Sequence, residues 1–396
     1  MIRMLAMLLT LTLMPVLAPA AARAQTAPVV VGAVVSQTGQ LSDLASGYRK
    51  GLLLWRDEVN EAGGLLGRRV ELRLLDDQSE AITAGKLYAR LLSEHGADLL
   101  IGPFGSAASR GAAAAAERAH RILINATGAA GSVLRAGHRY VFQLPAPYAA
   151  YGANVLGLAR RVGYRRLFIL GRDDPASREM AEHAAVDAVK DGLSADGAHV
   201  YSPGMTDFAP LVAMARKAGD EAWVAFGTAL DAAEMVKTFK RLNYAPKLFF
   251  AQGASDPRFI AAVGQDAEKV IGLSAYESSF LTPGNAIFVK AYTAKWSTAP
   301  GLAAAEGYAA GQLLQKAVER AGTLDQDKLR ETLATLETET VLGRYKLDPG
   351  SGEQLGARPA LVQILKGQRE VVWPDALAAA MWQLPYPRWQ DRKILH

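Results

Sequence analysis

The residues best able to hold a small molecule sit in turns. Gly102-Pro103-Phe104-Gly105-Ser106 follows a short apolar run and opens an alanine-rich stretch with helical character. The first N–H groups of a helix have no intrahelical partner and lie at the positive end of its dipole. Together with the Ser106 hydroxyl they form a natural seat for an anionic or carbonyl oxygen. The same residues also read as an ordinary glycine turn with Ser106 as the N-cap. The next apolar run, Ile122-Leu123-Ile124, ends in Asn125-Ala126-Thr127-Gly128-Ala129-Ala130, a turn that would lie beside the first. Tyr148 and Tyr151 flank Pro145-Ala146-Pro147 and suit a cleft or a core equally. Gln252 follows the strand-like Leu248-Phe249-Phe250.

Residues for bond-breaking chemistry are not apparent. The sequence has no G-x-S-x-G elbow, H-E-x-x-H pair, phosphate-binding Walker loop or EF-hand loop. The glycines at 102 and 105 lack the Rossmann spacing. Six histidines stand at 95, 120, 138, 183, 199 and 396, with no pair at helical ligand spacing. Asp76-Asp77 and Asp173-Asp174 fall at strand ends, where adjacent side chains point to opposite faces and form no acid–base couple. There is no cysteine, which removes disulfides, thiolate metal sites and a cysteine lipid anchor. No catalytic residue, metal or cofactor is expected, and the reading is of a protein that is not an enzyme.

Alternating elements position the turns. Val29 to Val35 is a continuous β-branched run, as in a strand buried on both faces. Tyr48, Leu52, Trp55 and Val59 mark one stripe of a helix, stopped by Gly63-Gly64. Strands then fall at 70–75, 98–102 and 122–124, separated by helices at 81–94 and 106–119. After Pro147 the alternation resumes. Strands fall at 166–170, 198–201, 222–226 and 248–250; helices end at 162 and run over 177–190, 208–218 and 232–242. Strands separated by helices of this length give βαβ units and parallel sheets. The last third holds a strand at 270–275, helices at 285–296, 303–321 and 327–336, and short strands near Tyr345 and Leu361. It reads as a return of the chain to complete both lobes. The fold class is α/β, with two doubly wound parallel-sheet lobes.

The 396 residues suit two domains. Lys+Arg 44 against Asp+Glu 39 gives +5. Without Arg3 and Arg23 the balance is 42 − 39 = +3, too little for a nucleic-acid footprint. Residues 1–24 combine Arg3, an apolar run from Met4 to Leu17, and Ala22-Arg23-Ala24. This is the pattern of a cleaved export signal leaving Gln25 as the new N-terminus. Pro15 and Pro19 interrupt it, and its apolar part is short of a membrane span.

Six marks occur in order: Ser36-Gln37-Thr38-Gly39; Val59-Asn60-Glu61-Ala62-Gly63-Gly64-Leu65-Leu66-Gly67; Leu75-Asp76-Asp77; Ile101-Gly102 with its serine-bearing turn; Thr206-Asp207-Phe208; and Phe226-Gly227. Over Val29 to Pro374 the chain resembles the periplasmic solute-binding proteins of branched-chain amino acid ABC importers, the leucine/isoleucine/valine type. The resemblance implies a type I binding-protein fold, with three crossovers and closure on a ligand by hinge motion. It implies lobe one over 27–145 plus 277–344, lobe two over 146–276 plus 345–375, and a C-terminal tail over 376–396. Trp382 to His396 is expected to pack irregularly rather than as a helix.

The resemblance also implies ligand contacts at Gly105, Ser106, Thr127, Gly128, Ala129, Tyr148, Ala176 and Gln252. In that family the serine of the first turn holds a ligand carboxylate, and Ser106 matches it. The acid that pairs with a ligand ammonium is replaced here by Gln252. The aromatic positions of the amino-acid pocket fall near Leu44, Ala176 and Ala229. The expected ligand is therefore a small carboxylate or amide with an apolar or aromatic body, unless Asp231, Asp256 or Glu277 replaces the missing acid. An amino-acid receptor, or a sensing module for a signalling partner, is the alternative. The chain ends at His396 without a transmembrane helix or signalling domain, which favours transport. The partners expected are a small molecule and an inner-membrane ABC permease, for a periplasmic monomer.

Overall fold

The computed structural model describes residues 27–134 and 137–392; the leader expected over 1–24 lies outside them. The elements run in the order β1 (Val29–Val35), α1 (Ser42–Glu61), β2 (Val70–Asp76), α2 (Ala84–Ser93), β3 (Leu99–Ile101), α3 (Ser106–Arg118), β4 (Leu123–Asn125) and β5 (Val141–Gln143). Then come α4 (Ala153–Val162), β6 (Leu167–Arg172), α5 (Pro175–Lys190), β7 (Ala198–Tyr201), α6 (Ala209–Ala218), β8 (Ala222–Phe226), α7 (Ala229–Arg241), β9 (Leu248–Ala251), α8 (Pro257–Val263) and β10 (Ile271–Ser274). The chain closes with α9 (Asn285–Trp296), α10 (Leu302–Ala321), α11 (Gln326–Thr335), β11 (Thr338–Thr340), β12 (Gly343–Tyr345), β13 (Ala360–Leu365) and β14 (Gln368–Trp373).

The strands form two main sheets. The first has five strands, ordered β2-β1-β3-β4-β5, and all its pairings are parallel. The second has seven, ordered β14-β13-β10-β9-β8-β6-β7. Its β6 to β10 pair in parallel, as the βαβ alternation requires, whereas β13 and β14 are antiparallel additions. The exception is local: Lys366 and Gly367 both have positive φ and make a two-residue hairpin turn, so no crossover helix is needed.

The expected strands and helices are present, and four further elements occur among the described residues; one is β11, which pairs with β12. β5 is three residues long, too short for a period to show. β14 mixes Arg369 and Glu370 with Val371 and Val372, as an edge strand exposed at one end does. α8 has seven residues and begins at Pro257, with the Asp256 side chain accepting from the Arg258 N–H at 2.9 Å.

The chain leaves the first sheet after β5, and after β10 it returns to that lobe, where α10 packs on α1 and β11 pairs with β12 as a separate hairpin. It leaves again after β12 to reach β13, giving three crossovers between two lobes. The return helix α10 is clamped onto α1. A Cβ on Gly51 would lie 2.1 Å from the Ala304 oxygen, and one on Gly307 would lie 2.3 Å from the Tyr48 oxygen. The two backbones therefore touch where side chains would normally hold helices 8–10 Å apart. Tyr48, Leu52, Trp55, Ala309 and Leu313 pack there in the core of the first lobe. Beyond β14 the tail lies on the second lobe: Gln383 and Gln363 exchange two hydrogen bonds, at 2.8 and 2.9 Å, and Tyr386 is buried. This segment is irregular apart from one short turn of helix over Trp389–Asp391.

Gly307→Ala forces the clamp apart. It is expected to cost about 1–3 kcal/mol of stability, the usual range for overpacking a filled core, read as a lower urea midpoint with an unchanged slope.

Candidate ligand-binding site

The carboxyl ends of β3 and β4 carry two turns that are bonded to each other. Gly105 sits at φ 89° just before α3, in the region that favours glycine. It occupies the N-cap position, and no side chain caps the helix. Ser106 is thus the first helical residue, and its hydroxyl is not spent on a cap. Instead the hydroxyl accepts from the Ala130 N–H at 3.3 Å and meets the Tyr148 phenol.

Thr127 has a different place. Its Oγ1 accepts from the Gly105 N–H at 2.7 Å and donates to the Pro103 carbonyl at 2.9 Å. Its donor is therefore consumed in tying one turn to the other. Asn125 stiffens the second turn by accepting from the Gly128 N–H at 3.1 Å and donating to the Gly128 carbonyl at 2.7 Å. Ala129 is buried, and its carbonyl accepts from the Tyr148 N–H at 2.9 Å. Tyr48, on α1, donates to the Gly102 carbonyl at 2.5 Å and fixes the start of the first turn. Gly105, Ser106, Thr127, Gly128, Ala129 and Tyr148 thus form one bonded group on the first lobe and first crossover.

Tyr148 meets Tyr151 edge to face at 5.3 Å. Burial raises the Tyr148 phenol's pKa, and the bond to Ser106 partly offsets this. Both tyrosines, with Ala176, pack against the apolar cluster of the second lobe. Ala176 lies in the first turn of α5, its N–H held by Asp174. Gln252 stands at the carboxyl end of β9, half-buried, and its side-chain amide has no hydrogen bond among the described residues. Two of the aligned pocket positions are not brought to a pocket wall by this packing: Ala229 is 3% exposed inside the second-lobe core and Leu44 is 62% exposed.

The acids that could replace a missing ammonium partner are engaged elsewhere. Asp231 accepts from the Thr228 N–H at 2.8 Å and the Thr228 hydroxyl at 2.7 Å, closing the start of α7. Asp256 is gripped by the Arg258 guanidinium, which lowers its pKa. Glu277 faces Arg369 at 3.4 Å.

One acid near the group escaped the sequence reading. Glu306, on α10, is 8% exposed and has no hydrogen bond among the described residues. Burial pushes its pKa up to about 8. It lies within electrostatic reach of Tyr48, Tyr148 and Tyr151. A signal was available: it is the one charge between Gly301 and Gly311, in a helix buried almost all round.

This arrangement can bind and orient a polar oxygen, through the free first-turn N–H groups of α3 and the Ser106 and Tyr148 hydroxyls. No group of three or more His, Cys, Asp or Glu that could hold a metal occurs among the described residues. The described helices include none long and apolar enough to cross a membrane.

Residues 28–369 match the family model described as periplasmic binding protein. The chain belongs to the periplasmic binding protein family. A Pseudomonas aeruginosa relative, named a leucine-, isoleucine-, valine-, threonine- and alanine-binding protein, is 21% identical over 315 residues, covering 78% of this chain and 83% of that one. Among solved structures, an ABC transporter substrate-binding protein from Desulfitobacterium hafniense in complex with Leu superposes with TM-score 0.73 at 21% identity, covering 87% and 100% of the two chains. An ABC transporter solute-binding protein from R. palustris in complex with benzoate gives TM-score 0.66 at 20% identity, covering 89% and 98%. Members of the periplasmic binding protein family are ligand receptors rather than enzymes and work with ABC transporters; membership implies a periplasmic location.

In this binding protein Thr127 braces both turns, so Thr127→Val removes two hydrogen bonds and leaves the Gly105 N–H without its partner. At about 0.5–1.5 kcal/mol per bond, with more for a buried group left unsatisfied, the variant is expected to lose about 1–3 kcal/mol in chemical denaturation.

Proposed function

We propose that the protein captures a small carboxylate or amide with an apolar or aromatic body, closes on it by hinge motion, and delivers it to an ABC permease in the inner membrane. The observation that carries this reading is the asymmetry of the donors. Ser106, Tyr148 and the start of α3 present hydrogen-bond donors and a positive dipole end, which suit an oxygen. Asp174 and Glu179, the carboxylates that act on Tyr148, are engaged by Ser177 and by the Gly131 N–H. Gln252 offers only a dipole, and Asp231, Asp256 and Glu277 are spent on Thr228, Arg258 and Arg369. Burial of Glu306 disfavours its charged form. An ammonium buried without a partner costs roughly 3–5 kcal/mol, which is about two to four orders of magnitude in affinity. The R. palustris structure, which holds benzoate, supports a ligand without an ammonium on this fold.

On this reading Gly105, Ser106, Tyr148 and Gln252 contact the ligand. Thr127, Gly128 and Ala129 shape the carboxylate seat, and Ala176 supplies apolar wall beside Tyr148. The lobes comprise residues 27–145 with 277–344 and 146–276 with 345–375. This division is supported by the membership of the two sheets and by the packing of α10 on α1. The mature protein is a monomer beginning at Gln25.

Calorimetry with benzoate, isobutyrate and leucine tests the ligand class. A carboxylate without an ammonium is expected to bind more tightly than leucine. Ser106→Ala is expected to weaken it by about 10- to 100-fold, the loss of one hydrogen bond to a charged group. Micromolar leucine binding, lost in Ser106→Ala and in Asp231→Ala, Asp256→Ala or Glu277→Ala, would show that the ammonium site is among those acids.

N-terminal sequencing of the protein from the envelope fraction tests export. The expected first residue is Gln25; an intact Met1 in the membrane pellet contradicts a cleaved leader.

A further inference from the structure

The three crossovers converge on one small cavity of about 30 Å³, room for one or two waters. Leu144, Pro145 and Ala146 reach it from the first crossover and Ala275 from the second. The third contributes Ala357, Arg358 and Pro359. Glu306 lines it from α10, and that helix is locked onto α1 by the glycine contacts described above. The carboxyl is thus carried by a rigid part of the first lobe, while the segments that must flex when the lobes separate lie against it.

We propose that Glu306 is a protonation switch of the hinge: with its proton on, it packs between the crossovers and holds the enclosed arrangement, and when it ionises the crossovers part to admit more water. The groups facing it from every neighbouring element fit this role. α1 presents the Tyr48 phenol, and the segment before α4 presents Tyr148 and Tyr151. The third crossover presents Arg358, the other charged side chain lining the cavity among the described residues. Arg358 is exposed and makes no ion pair with Glu306. The remaining wall is Leu144, Pro145, Ala146, Leu302, Leu342 and Pro359, which cannot solvate a charge.

The sign follows from linkage. Enclosure raises the Glu306 pKa to about 8, while water returns it to the ordinary carboxyl range. A proton therefore favours the enclosed form. The preference is complete at and below the ordinary carboxyl pKa. It falls by up to tenfold per pH unit as pH rises from there to about 8, and is fully lost above that. A ligand that closes the lobes would work against this loss. The switch rests on the crossovers and not on the ligand class.

The chain has no cysteine, so spin labels can be placed at will. Ile82 on the first lobe and Leu230 on the second are 88% and 65% exposed. Distances between labels on Ile82→Cys and Leu230→Cys, measured by pulsed electron resonance on the full mature chain without ligand from pH 5 to pH 8.5, read the lobe separation. The expected result is a growing long-distance population as pH rises, with Glu306→Gln fixed at the low-pH distribution at every pH. A distribution independent of pH in the parent, or one that shifts equally in Glu306→Gln, overturns the switch. Carbon-detected NMR of glutamate carboxyls in the parent protein gives a second check that needs no variant. One glutamate should titrate well above the others, and its absence overturns the proposal. Failure of the ligand reading would appear separately, in calorimetry, and would leave these two measurements untouched.

Discussion

The hydroxyl of Thr127 holds the candidate site together. A parallel sheet leaves its strand ends as loose turns, and here two of them must keep a fixed separation to present a helix start to a ligand. Thr127 spans that gap with one bond donated to Pro103 and one accepted from Gly105. Asn125 stiffens the second turn and Tyr48 pins the first, so the Ser106 hydroxyl is not needed to cap α3. It bonds sideways to Ala130 and Tyr148, at the mouth of the first crossover. Thr127 thus carries both bonds between the two turns, while Ser106 carries a single longer one to the Ala130 N–H.

A similar division separates rigid from movable parts of the molecule. α10 belongs to the last third of the chain, yet it is pressed backbone to backbone on α1, the first helix. The first lobe therefore closes on itself through contacts distant in sequence. The second lobe is finished by the hairpin β13–β14 and by the tail, through Gln363, Gln383 and Tyr386. The second lobe has two apolar clusters of its own, while the main cluster of the first lobe also takes in Ala360, Val362 and Val371 from β13 and β14. The three crossovers carry the chain between the lobes. Leaving an unpaired carboxyl at that junction opposes stability, because burial of Glu306 disfavours its charged form.

Much of the architecture was legible because it rests on local periodicity. The run Val29 to Val35 and the stripe Tyr48-Leu52-Trp55-Val59 are signals that burial alone imposes. The return of α10 was legible only as an economical completion of the lobes, since nothing local in its sequence names its partner. The antiparallel pairing of β13 and β14 depends on a two-residue turn at Lys366-Gly367, and β5 is too short to carry a period. At the site, residue type marked the turns but not the roles. Residue type marks Thr127 as a ligand contact but does not reveal that its hydroxyl also braces the two turns. Ser106 could have been an N-cap, and Gly105 took that position instead. Glu306 was not legible as a site residue because it lies in a helix interior rather than at a strand end, and a lone acid among alanines does not name the crossovers it faces.

The central claim is that a small solute is held between the lobes against Ser106 and Tyr148. A crystal structure of the mature protein grown with the tightest-binding of benzoate, isobutyrate and leucine tests it most directly. The account predicts the probe's carboxylate at the start of α3, bonded to the Ser106 hydroxyl, with second-lobe residues near Gln252 drawn over its apolar body. The contradicting result is a probe seated away from the two turns, such as in the separate pocket of about 390 Å³ lined by Leu134, Pro147, His183 and Glu353, with the Ser106 hydroxyl untouched.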